Sequence, residues 1–212
     1  MKVAIIGANG QLGMDLMKVF ADVQPVSLTH NDIQIESLDS VSRTLSTLKP
    51  TLVINTAAYH KVDDCEKNPE RSFQVNAIGA LNLAKISEDQ KFELLHISTD
   101  YVFDGSKKAP YVESDLPRPL NVYAASKLAG EHFVQAYAPR NFVVRSSGLY
   151  GHSPCRAKGG RNFIETMLKL SKEKNEVRVV DDEILTPTYT YHLALQIRER
   201  SEERRVGKEC RL

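Results

Sequence analysis

The chain has 212 residues, of which 42% are hydrophobic, so it is long enough to bury a sizeable core. Its 28 basic residues nearly balance its 27 acidic ones, which gives no electrostatic reason to expect a nucleic-acid or membrane-surface partner. The three cysteines are far apart, and neither they nor the histidines show a metal-ligand spacing, so the sequence predicts no disulfide framework and no metal site.

The first hundred residues alternate between short apolar runs and longer segments of helical period. The predicted strands are 3–6, 25–28, 52–56 and 93–98, and the predicted helices are 11–20, 38–48 and 69–88. Strands separated by helices of this length indicate βαβ units and a parallel sheet. We therefore expect an α/β Rossmann domain with a doubly wound parallel sheet over residues 1–150. The opening apolar run is too short for a signal peptide or a membrane helix, so we expect a cytoplasmic location.

Three glycines follow the first predicted strand and open the first predicted helix. Gly7, Gly10 and Gly13 stand in the segment GANGQLG. Glycine allows a tight turn and a close approach of backbone to a pyrophosphate, which the helix N-terminus also favours. The pattern predicts dinucleotide binding. An acid that would bind the ribose of NAD is expected about twenty residues later, where Thr29 and His30 precede Asp32, so NADP is at least as favoured as NAD.

A second motif is a candidate catalytic pair of a tyrosine and a lysine. Tyr123 and Lys127 are four residues apart in a predicted helix, 122–137, so both face the same way. We expect the ammonium to lower the pKa of the tyrosine, which prepares the hydroxyl to exchange a proton with a carbonyl or alcohol oxygen. Thr99 ends a predicted central strand, at the edge where parallel sheets bind ligands, and its hydroxyl can orient that oxygen.

The remaining segments complete the expected layout. A strand is predicted at 142–145, a helix at 162–174 and a strand at 177–180, and residues 151–197 are interpreted as a partial, truncated substrate-binding subdomain. Residues 198–212 form a dense charge run with little apolar surface, so we expect a disordered or non-native tail there. The histidines, His96 among them, are assigned structural or surface roles.

These motifs together resemble the extended short-chain dehydrogenase/reductases and, within them, the dTDP-4-dehydrorhamnose reductase family. The resemblance covers roughly residues 1–195. Its segments are GANGQLG (7–13), NTAAY (55–59), VNAIGALNLA (75–84), STDYVFDG (98–105), YAASKLAGE (123–131), GRNFIETMLKL (160–170) and VVDDEILTPTYT (179–190).

The resemblance implies a reaction and a set of site residues. It implies reduction of the 4-keto group of dTDP-4-dehydro-L-rhamnose by NADPH or NADH, with a dTDP-sugar as substrate and a possible homodimer. Tyr123 would be the acid, Lys127 its modulator and a cofactor anchor, and Thr99 the orienting hydroxyl. The implied cofactor-binding residues are Gly7, Gly10, Gln11, Leu12, Gly13, Ala57, Ala58, Tyr59, Asn76 and Lys127.

One departure from the family keeps alternatives open. Members usually carry a tryptophan after the strand that ends in arginine, but here the stretch from Arg145 to Gly151 reads RSSGLYG and the chain contains no tryptophan. The alternatives are a reductase or epimerase acting on another nucleotide sugar, and a non-catalytic regulatory module like the methionine adenosyltransferase regulatory subunit.

Overall fold

A five-stranded parallel sheet forms the centre of the molecule. The computed structural model describes residues 1–154, 160, 162–179 and 185–203. The strands of the sheet are β1 (Val3–Ile6), β2 (Val26–Leu28), β3 (Leu52–Asn55), β4 (Glu93–Thr99) and β5 (Asn141–Ser146). They lie in the order β2-β1-β3-β4-β5, and each neighbouring pair is parallel. The parallel α/β sheet predicted from the sequence is confirmed.

Helices connect these strands and flank the sheet. They are α1 (Gln11–Val19), α2 (Leu38–Leu48), α3 (Val62–Lys67), α4 (Pro69–Phe73), α5 (Gly79–Gln90), α6 (Val122–Tyr137), α7 (Phe163–Glu173) and α8 (Thr190–Glu203). A π-helical segment, Gln74–Ile78, joins α4 to α5, so the single helix predicted over 69–88 is divided. A 3₁₀ turn, Asp100–Val102, follows β4 directly.

Two apolar layers cover the two faces of the sheet because successive residues of a strand point in opposite directions. In β1, Ala4 packs in a cluster with residues of α2, α5 and α6, whereas Ile5 packs in a second cluster with residues of α1 and α8. β1 is buried along its whole length. Helices on both faces make the sheet doubly wound, as predicted.

The strand order reverses between β1 and β3, and this creates a crevice at the carboxyl edge of the sheet. Thr56, directly after β3, donates from its backbone N–H to the Ile6 carbonyl over 2.9 Å and from its hydroxyl to the same oxygen over 2.8 Å. These bonds hold the loop after β3 against the glycine loop after β1. The fold therefore brings together two segments that the sequence analysis had assigned to one cofactor.

A smaller parallel pair lies beyond the main sheet. Strand β6 (Leu149–Tyr150) pairs with β7 (Thr188–Tyr189). Helix α7 begins at a capping box in which Asn162 and Glu165 satisfy each other's backbone N–H groups. Asn162 also donates to the Gly151 carbonyl over 2.9 Å, which ties α7 to the end of β6.

Helix α8 differs from the prediction in two ways: its first half packs on the main sheet, and its last residues are ordered. Leu193, Ala194 and Ile197 are buried in the same cluster as α1, so residues 190–197 pack on the Rossmann sheet rather than in the predicted subdomain. Residues 198–203 are helical rather than disordered, and Arg198 forms a two-bond ion pair with Asp22 at 2.5 and 2.7 Å. Residues 204–212 lie outside the described residues, and the non-native origin of the tail stays a prediction.

The strand predicted at 177–180 is not present over its described part. Residues 177–179 form no strand, and Val180 lies outside the described residues. Val179 is 59% exposed, so the β-branched residues there are not buried against a sheet as the apolar pattern suggested.

Candidate active site

The glycine loop after β1 packs so closely that side chains are excluded. Gly7 has a φ of 78°, and a Cβ atom there would lie 2.6 Å from Thr56 Oγ1 and 3.0 Å from the Ala57 nitrogen. A Cβ on Gly13 would collide with the Gly7 carbonyl and lie 2.7 Å from Ala8 Cα. The loop is therefore a backbone cradle between β1, β3 and helix α1.

The N-terminus of α1 opens onto this cradle. Gly10 precedes the helix, no side chain caps it and no acidic residue stands in its first turn. The Gly10 N–H donates to the Gly7 carbonyl over 2.9 Å, which tightens the turn. Free N–H groups and the positive end of the helix dipole suit a pyrophosphate. The cradle and the helix start therefore fit a dinucleotide.

The side chains of two predicted cofactor residues face elsewhere. The Gln11 amide donates to the Gly151 carbonyl over 3.4 Å and to the Ser153 carbonyl over 3.2 Å. Leu12 is 4% exposed and packs in the apolar cluster beneath α1. Their side chains are thus engaged elsewhere, and the backbone of these two residues is the part that faces the cradle.

Asp32, the candidate acid for a ribose hydroxyl, already has partners. Its carboxylate accepts from the Thr29 N–H over 2.8 Å and from the Thr29 hydroxyl over 2.7 Å. The Thr29 hydroxyl is the largest cause that holds the pKa of Asp32 below its ordinary value. The carboxylate closes the loop after β2, which explains why it stands later than the usual position of a ribose-binding acid.

Thr99 and Tyr123 meet at the carboxyl end of β4. Thr99 is the last residue of β4 and is 6% exposed, and its hydroxyl donates to Asp100 Oδ1 over 3.2 Å beside the Tyr123 side chain. The Thr99 oxygen also accepts from the Tyr101 N–H over 3.2 Å, and the Tyr101 ring meets the Tyr123 ring edge-on at 5.9 Å. Asn121 caps helix α6 by accepting from the Ala124 N–H over 2.8 Å, which places Tyr123 in the first turn. The structure thus brings together the hydroxyl and the phenol predicted from the sequence.

Lys127 lies one helical turn after Tyr123 and is 2% exposed. Its ammonium donates to the Ile97 carbonyl over 2.6 Å and lies 3.4 Å from His96 Nε2. Burial lowers the pKa of Lys127 to about 8, while the nearby Glu131 carboxylate partly opposes this. The lysine is therefore held near the carboxyl end of β4, and it loses its proton at a lower pH than an ordinary lysine does.

The expected lowering of the Tyr123 pKa by the Lys127 ammonium is not found. Burial raises the pKa of Tyr123 to about 12, and the Thr99 hydrogen bond only partly offsets this rise. The Lys127 ammonium is bonded to the Ile97 carbonyl rather than to the phenol. Tyr123 consequently keeps its proton throughout the neutral range, as a proton donor must.

Asn76 connects the loop after β3 to helix α6, which carries Tyr123 and Lys127. Its side chain accepts from the Tyr59 N–H over 2.9 Å and donates to the Tyr59 carbonyl over 2.9 Å. It also donates to Ser126 Oγ over 3.0 Å, and Ser126 donates to the Tyr123 carbonyl over 2.8 Å. Asn76 thus holds the predicted cofactor loop, in which Ala57 and Ala58 precede Tyr59, beside helix α6.

The sequence analysis missed several buried polar residues next to Lys127. Asn55 and His96 are each 1% exposed, and Asn55 Nδ2 lies 3.1 Å from His96 Nδ1. Glu131 is 1% exposed and accepts a two-pronged ion pair from Arg145, with the shortest bond 2.6 Å. The sequence signal was the position of Asn55 and His96 near the ends of adjacent predicted parallel strands.

The described part of the chain holds neither a metal-ligand cluster nor a membrane-spanning helix. Within residues 1–154, 160, 162–179 and 185–203, no group of three His, Cys, Asp or Glu side chains is placed to hold a metal ion. In the same ranges, no helix is long and apolar enough to cross a membrane. Of the three widely spaced cysteines, Cys65 is free and buried, and Cys155 and Cys210 lie outside the described residues.

A Rossmann fold with a glycine cradle, and with threonine, tyrosine and lysine at the carboxyl edge of its sheet, defines the short-chain dehydrogenase/reductase class. Residues 1–209 match the family described as the RmlD substrate binding domain. The chain belongs to this family, that of the dTDP-4-dehydrorhamnose reductases, as predicted.

Known relatives agree with this assignment. The chain is 40% identical over 195 residues to the spore coat polysaccharide biosynthesis protein SpsK of Bacillus subtilis, covering 91% of this chain and 67% of that protein. It is 35% identical to the dTDP-4-dehydrorhamnose reductase of Aggregatibacter actinomycetemcomitans, covering 98% and 69%. The solved dTDP-4-dehydrorhamnose reductase of Bacillus anthracis in complex with NADP is 39% identical with a TM-score of 0.89, covering 95% and 71%. The chain thus spans about two thirds of the length of these relatives.

Proposed function

We propose that this chain is an NADPH- or NADH-dependent reductase that converts the 4-keto group of dTDP-4-dehydro-L-rhamnose to the alcohol of dTDP-L-rhamnose. The observation that carries the proposal is the position of Thr99 at the carboxyl end of β4 beside Tyr123 in the first turn of α6, with Lys127 one turn further along. The family assignment and the NADP complex of the Bacillus anthracis relative support it.

The residues that would hold the cofactor are those of the cradle. The backbone at Gly7, Gly10 and Gly13 and the start of α1 would hold the pyrophosphate. The segment from Ala57 to Tyr59, fixed by Asn76, would lie along the rest of the molecule, and Lys127 would face its ribose. When bound, NADPH supplies the hydride that reduces the C4 carbonyl.

The protein's own groups would then handle the proton and the oxygen. The Thr99 hydroxyl would donate a hydrogen bond to the carbonyl oxygen and orient it. Tyr123, which keeps its proton at neutral pH, would transfer that proton to the oxygen as negative charge develops there. The phenolate would then regain its proton from solvent, while the Lys127 nitrogen stays bonded to the Ile97 carbonyl.

Gly148 favours a second candidate substrate within the same class. It stands where the family usually has a tryptophan, has a φ of 49°, and a Cβ there would lie 2.6 Å from Leu185 Cδ1. The site therefore lacks an aromatic ring at this position and accommodates Leu185 instead. We infer that another dTDP-4-keto-6-deoxysugar is the alternative substrate.

The test is the initial rate at which the full chain oxidises NADPH or NADH. The substrates are dTDP-4-dehydro-L-rhamnose and other dTDP-4-keto-6-deoxysugars that differ from it in ring stereochemistry. Tyr123→Phe is the diagnostic variant. Tyr137→Phe is the matched control because Tyr137 is on the same helix and is 48% exposed. Turnover that Tyr123→Phe abolishes and Tyr137→Phe leaves intact supports the proposal. Cofactor binding without turnover on any dTDP-keto sugar would instead support the non-catalytic regulatory module. The homodimer and the cytoplasmic location stay predictions.

A further inference from the structure

A chain of three buried side chains links the cofactor loop to Lys127. Asn55 and His96 are direct neighbours in the register of β3 and β4. His96 lies between Asn55, at 3.1 Å from its Nδ1, and Lys127, at 3.4 Å from its Nε2. All three residues are at most 2% exposed. The proposed mechanism uses only Lys127, which leaves the other two residues without an assigned role.

The hydrogen bonds of Asn55 determine which nitrogen of His96 carries the proton. The Asn55 Oδ1 atom accepts from the Ala57 N–H over 3.1 Å, so the Nδ2 amino group is the end that faces His96. An amino group only donates, and His96 Nδ1 must therefore accept. Burial, followed by the charge of Lys127, holds the pKa of His96 well below its ordinary value, so the ring is neutral. A neutral ring with an accepting Nδ1 carries its hydrogen on Nε2.

This tautomer turns an N–H group towards Lys127. A lysine ammonium has three N–H donors and no lone pair, whereas the neutral amine can accept. The His96 Nε2–H group can therefore bond the amine of Lys127 but not its ammonium. The Ile97 carbonyl is the acceptor that holds the ammonium.

We propose, on the basis of the proposed function, that His96, fixed by Asn55 with its proton on Nε2, is a positioning residue that holds the Lys127 nitrogen at the Ile97 carbonyl and makes proton loss from Lys127 easier. Ala57 belongs to the segment that the cofactor would contact. Asn55 and His96 therefore connect that segment to Lys127. His96 touches neither the substrate nor the reacting oxygen in this account.

The charged groups around Lys127 define what else affects its proton. Glu131 on α6 is the acidic side chain that favours its ammonium, and that carboxylate is also paired with Arg145 on β5. His96 on β4 disfavours the ammonium, and Asn55 on β3 carries no charge. Tyr123 on α6 stays protonated in the neutral range. Burial and Glu131 thus act on the proton affinity of Lys127 in opposite directions, and in the proposed arrangement the His96 Nε2–H group acts in the same direction as burial.

Two substitutions separate the two contacts of His96. His96→Asn keeps a short polar group that can reach Asn55 but removes the N–H group that faces Lys127. His96→Gln places an amide N–H group near the position of Nε2 and serves as the conservative variant. A purely structural role predicts that both variants lose stability and rate without moving the pH at which Lys127 titrates.

The experiment follows Lys127 directly and does not depend on the substrate. Full-length protein labelled with ¹³C and ¹⁵N in its lysine side chains is titrated by NMR, and Lys127→Met assigns the resonance. We expect the Lys127 midpoint to rise by about one pH unit in His96→Asn and to stay near the wild-type value in His96→Gln. The alkaline limb of kcat/KM for NADPH-dependent reduction should move with it. Unmoved Lys127 midpoints in both variants would overturn the proposal.

A second measurement tests the proposed tautomer of His96 in the wild type, and so does not require that the variants fold. The ¹⁵N spectrum of the wild-type histidines reports which ring nitrogen of His96 carries the hydrogen. We expect the Nε2–H tautomer from pH 5 to pH 9, and a protonated Nδ1 or a titration within that range would overturn the proposal. Both NMR results can be read if the wild type shows no reductase activity, so failure of the proposed function is distinguishable from failure of this inference.

Discussion

The side chain of Asn76 forms two hydrogen bonds to the backbone of Tyr59, one to its N–H and one to its carbonyl, each 2.9 Å long. Asn76 is in the π-helical segment and Tyr59 is in the loop after β3. A third bond from Asn76 to Ser126 joins this loop to helix α6. One amide therefore fixes the distance between the proposed cofactor segment and the helix that carries Tyr123.

Replacing Asn76 tests this link. Asn76→Asp cannot donate to the Tyr59 carbonyl or to Ser126, and it places a charge in a buried site, so we expect a loss of about 2–4 kcal/mol in the free energy of unfolding. We also expect the KM for NADPH to rise about tenfold because the loop is misplaced. Urea unfolding and initial rates measure the two effects.

Asn82→Asp is the matched control. Asn82 is 7% exposed and donates to the Ile35 carbonyl over 2.9 Å, away from the site. It should lose stability while the KM for NADPH stays at the wild-type value. An equal rise in KM in both variants would mean that the effect of Asn76 is a general loss of stability.

The glycine cradle makes a second prediction. Gly7→Ala combines a left-handed φ with a Cβ 2.6 Å from Thr56 Oγ1, so we expect NADPH binding to weaken more than tenfold in a fluorescence titration. Gly105 also has a left-handed φ, 73°, but nothing lies within 4 Å of a Cβ there. Gly105→Ala should therefore cost about 1–2 kcal/mol of stability and leave NADPH binding unchanged. Equal binding by the two variants would contradict the proposed pyrophosphate position.

Glu131 makes a third prediction because it serves both Arg145 and Lys127. Glu131→Gln removes the carboxylate partner of the partly exposed Arg145, so we expect the free energy of unfolding to fall by about 1–3 kcal/mol. Glu131 also favours the Lys127 ammonium, so its removal should move the alkaline limb of kcat/KM to lower pH, opposite to His96→Asn. The exposed pair of Lys91 and Glu88 provides the control, and Glu88→Gln should change stability by less than about 0.5 kcal/mol.

The buried lysine predicts how stability depends on pH. The pKa of Lys127 is about 8 in the folded protein, against an ordinary value of 10.5, so between those values the unfolded chain binds more protons. The buried ammonium destabilises the folded state by its full amount below pH 8, and this destabilisation disappears as pH rises towards 10.5. Lys127→Met has no charge at this position and so lacks this destabilisation. We therefore expect the stability of the wild type relative to Lys127→Met to increase from pH 8 to pH 10, as measured by urea unfolding at each pH.

The sequence predicted the elements that repeat a strong local pattern. Helix α6 has the predicted bounds because Asn121 caps its start and the apolar period continues to Tyr137. The glycine turn was predicted because strand, glycines and helix occur in a fixed order along the chain. The strand predicted at 177–180 is not present over its described residues, 177–179, because an apolar β-branched segment forms a strand only where neighbouring strands pair with it.

Contacts between distant residues could not be predicted in the same way. The bond from Gln11 to the Gly151 carbonyl joins residues 140 positions apart, so no local pattern indicates that this side chain faces away from the cofactor cradle. The pKa of Tyr123 depends on burial, which the four-residue spacing to Lys127 does not report. His96 showed no ligand spacing because its partners, Asn55 and Lys127, come from other elements.

The most direct test of the central claim is a single turnover of the full chain with NADPH carrying deuterium at either face of nicotinamide C4, with dTDP-4-dehydro-L-rhamnose as substrate. The account predicts that one of the two labelled cofactors yields dTDP-L-rhamnose with deuterium at C4 of the sugar, and that Tyr123→Phe yields at most a trace. Labelled cofactor that stays bound and unoxidised with every dTDP-4-keto-6-deoxysugar would contradict a reductase function for this chain.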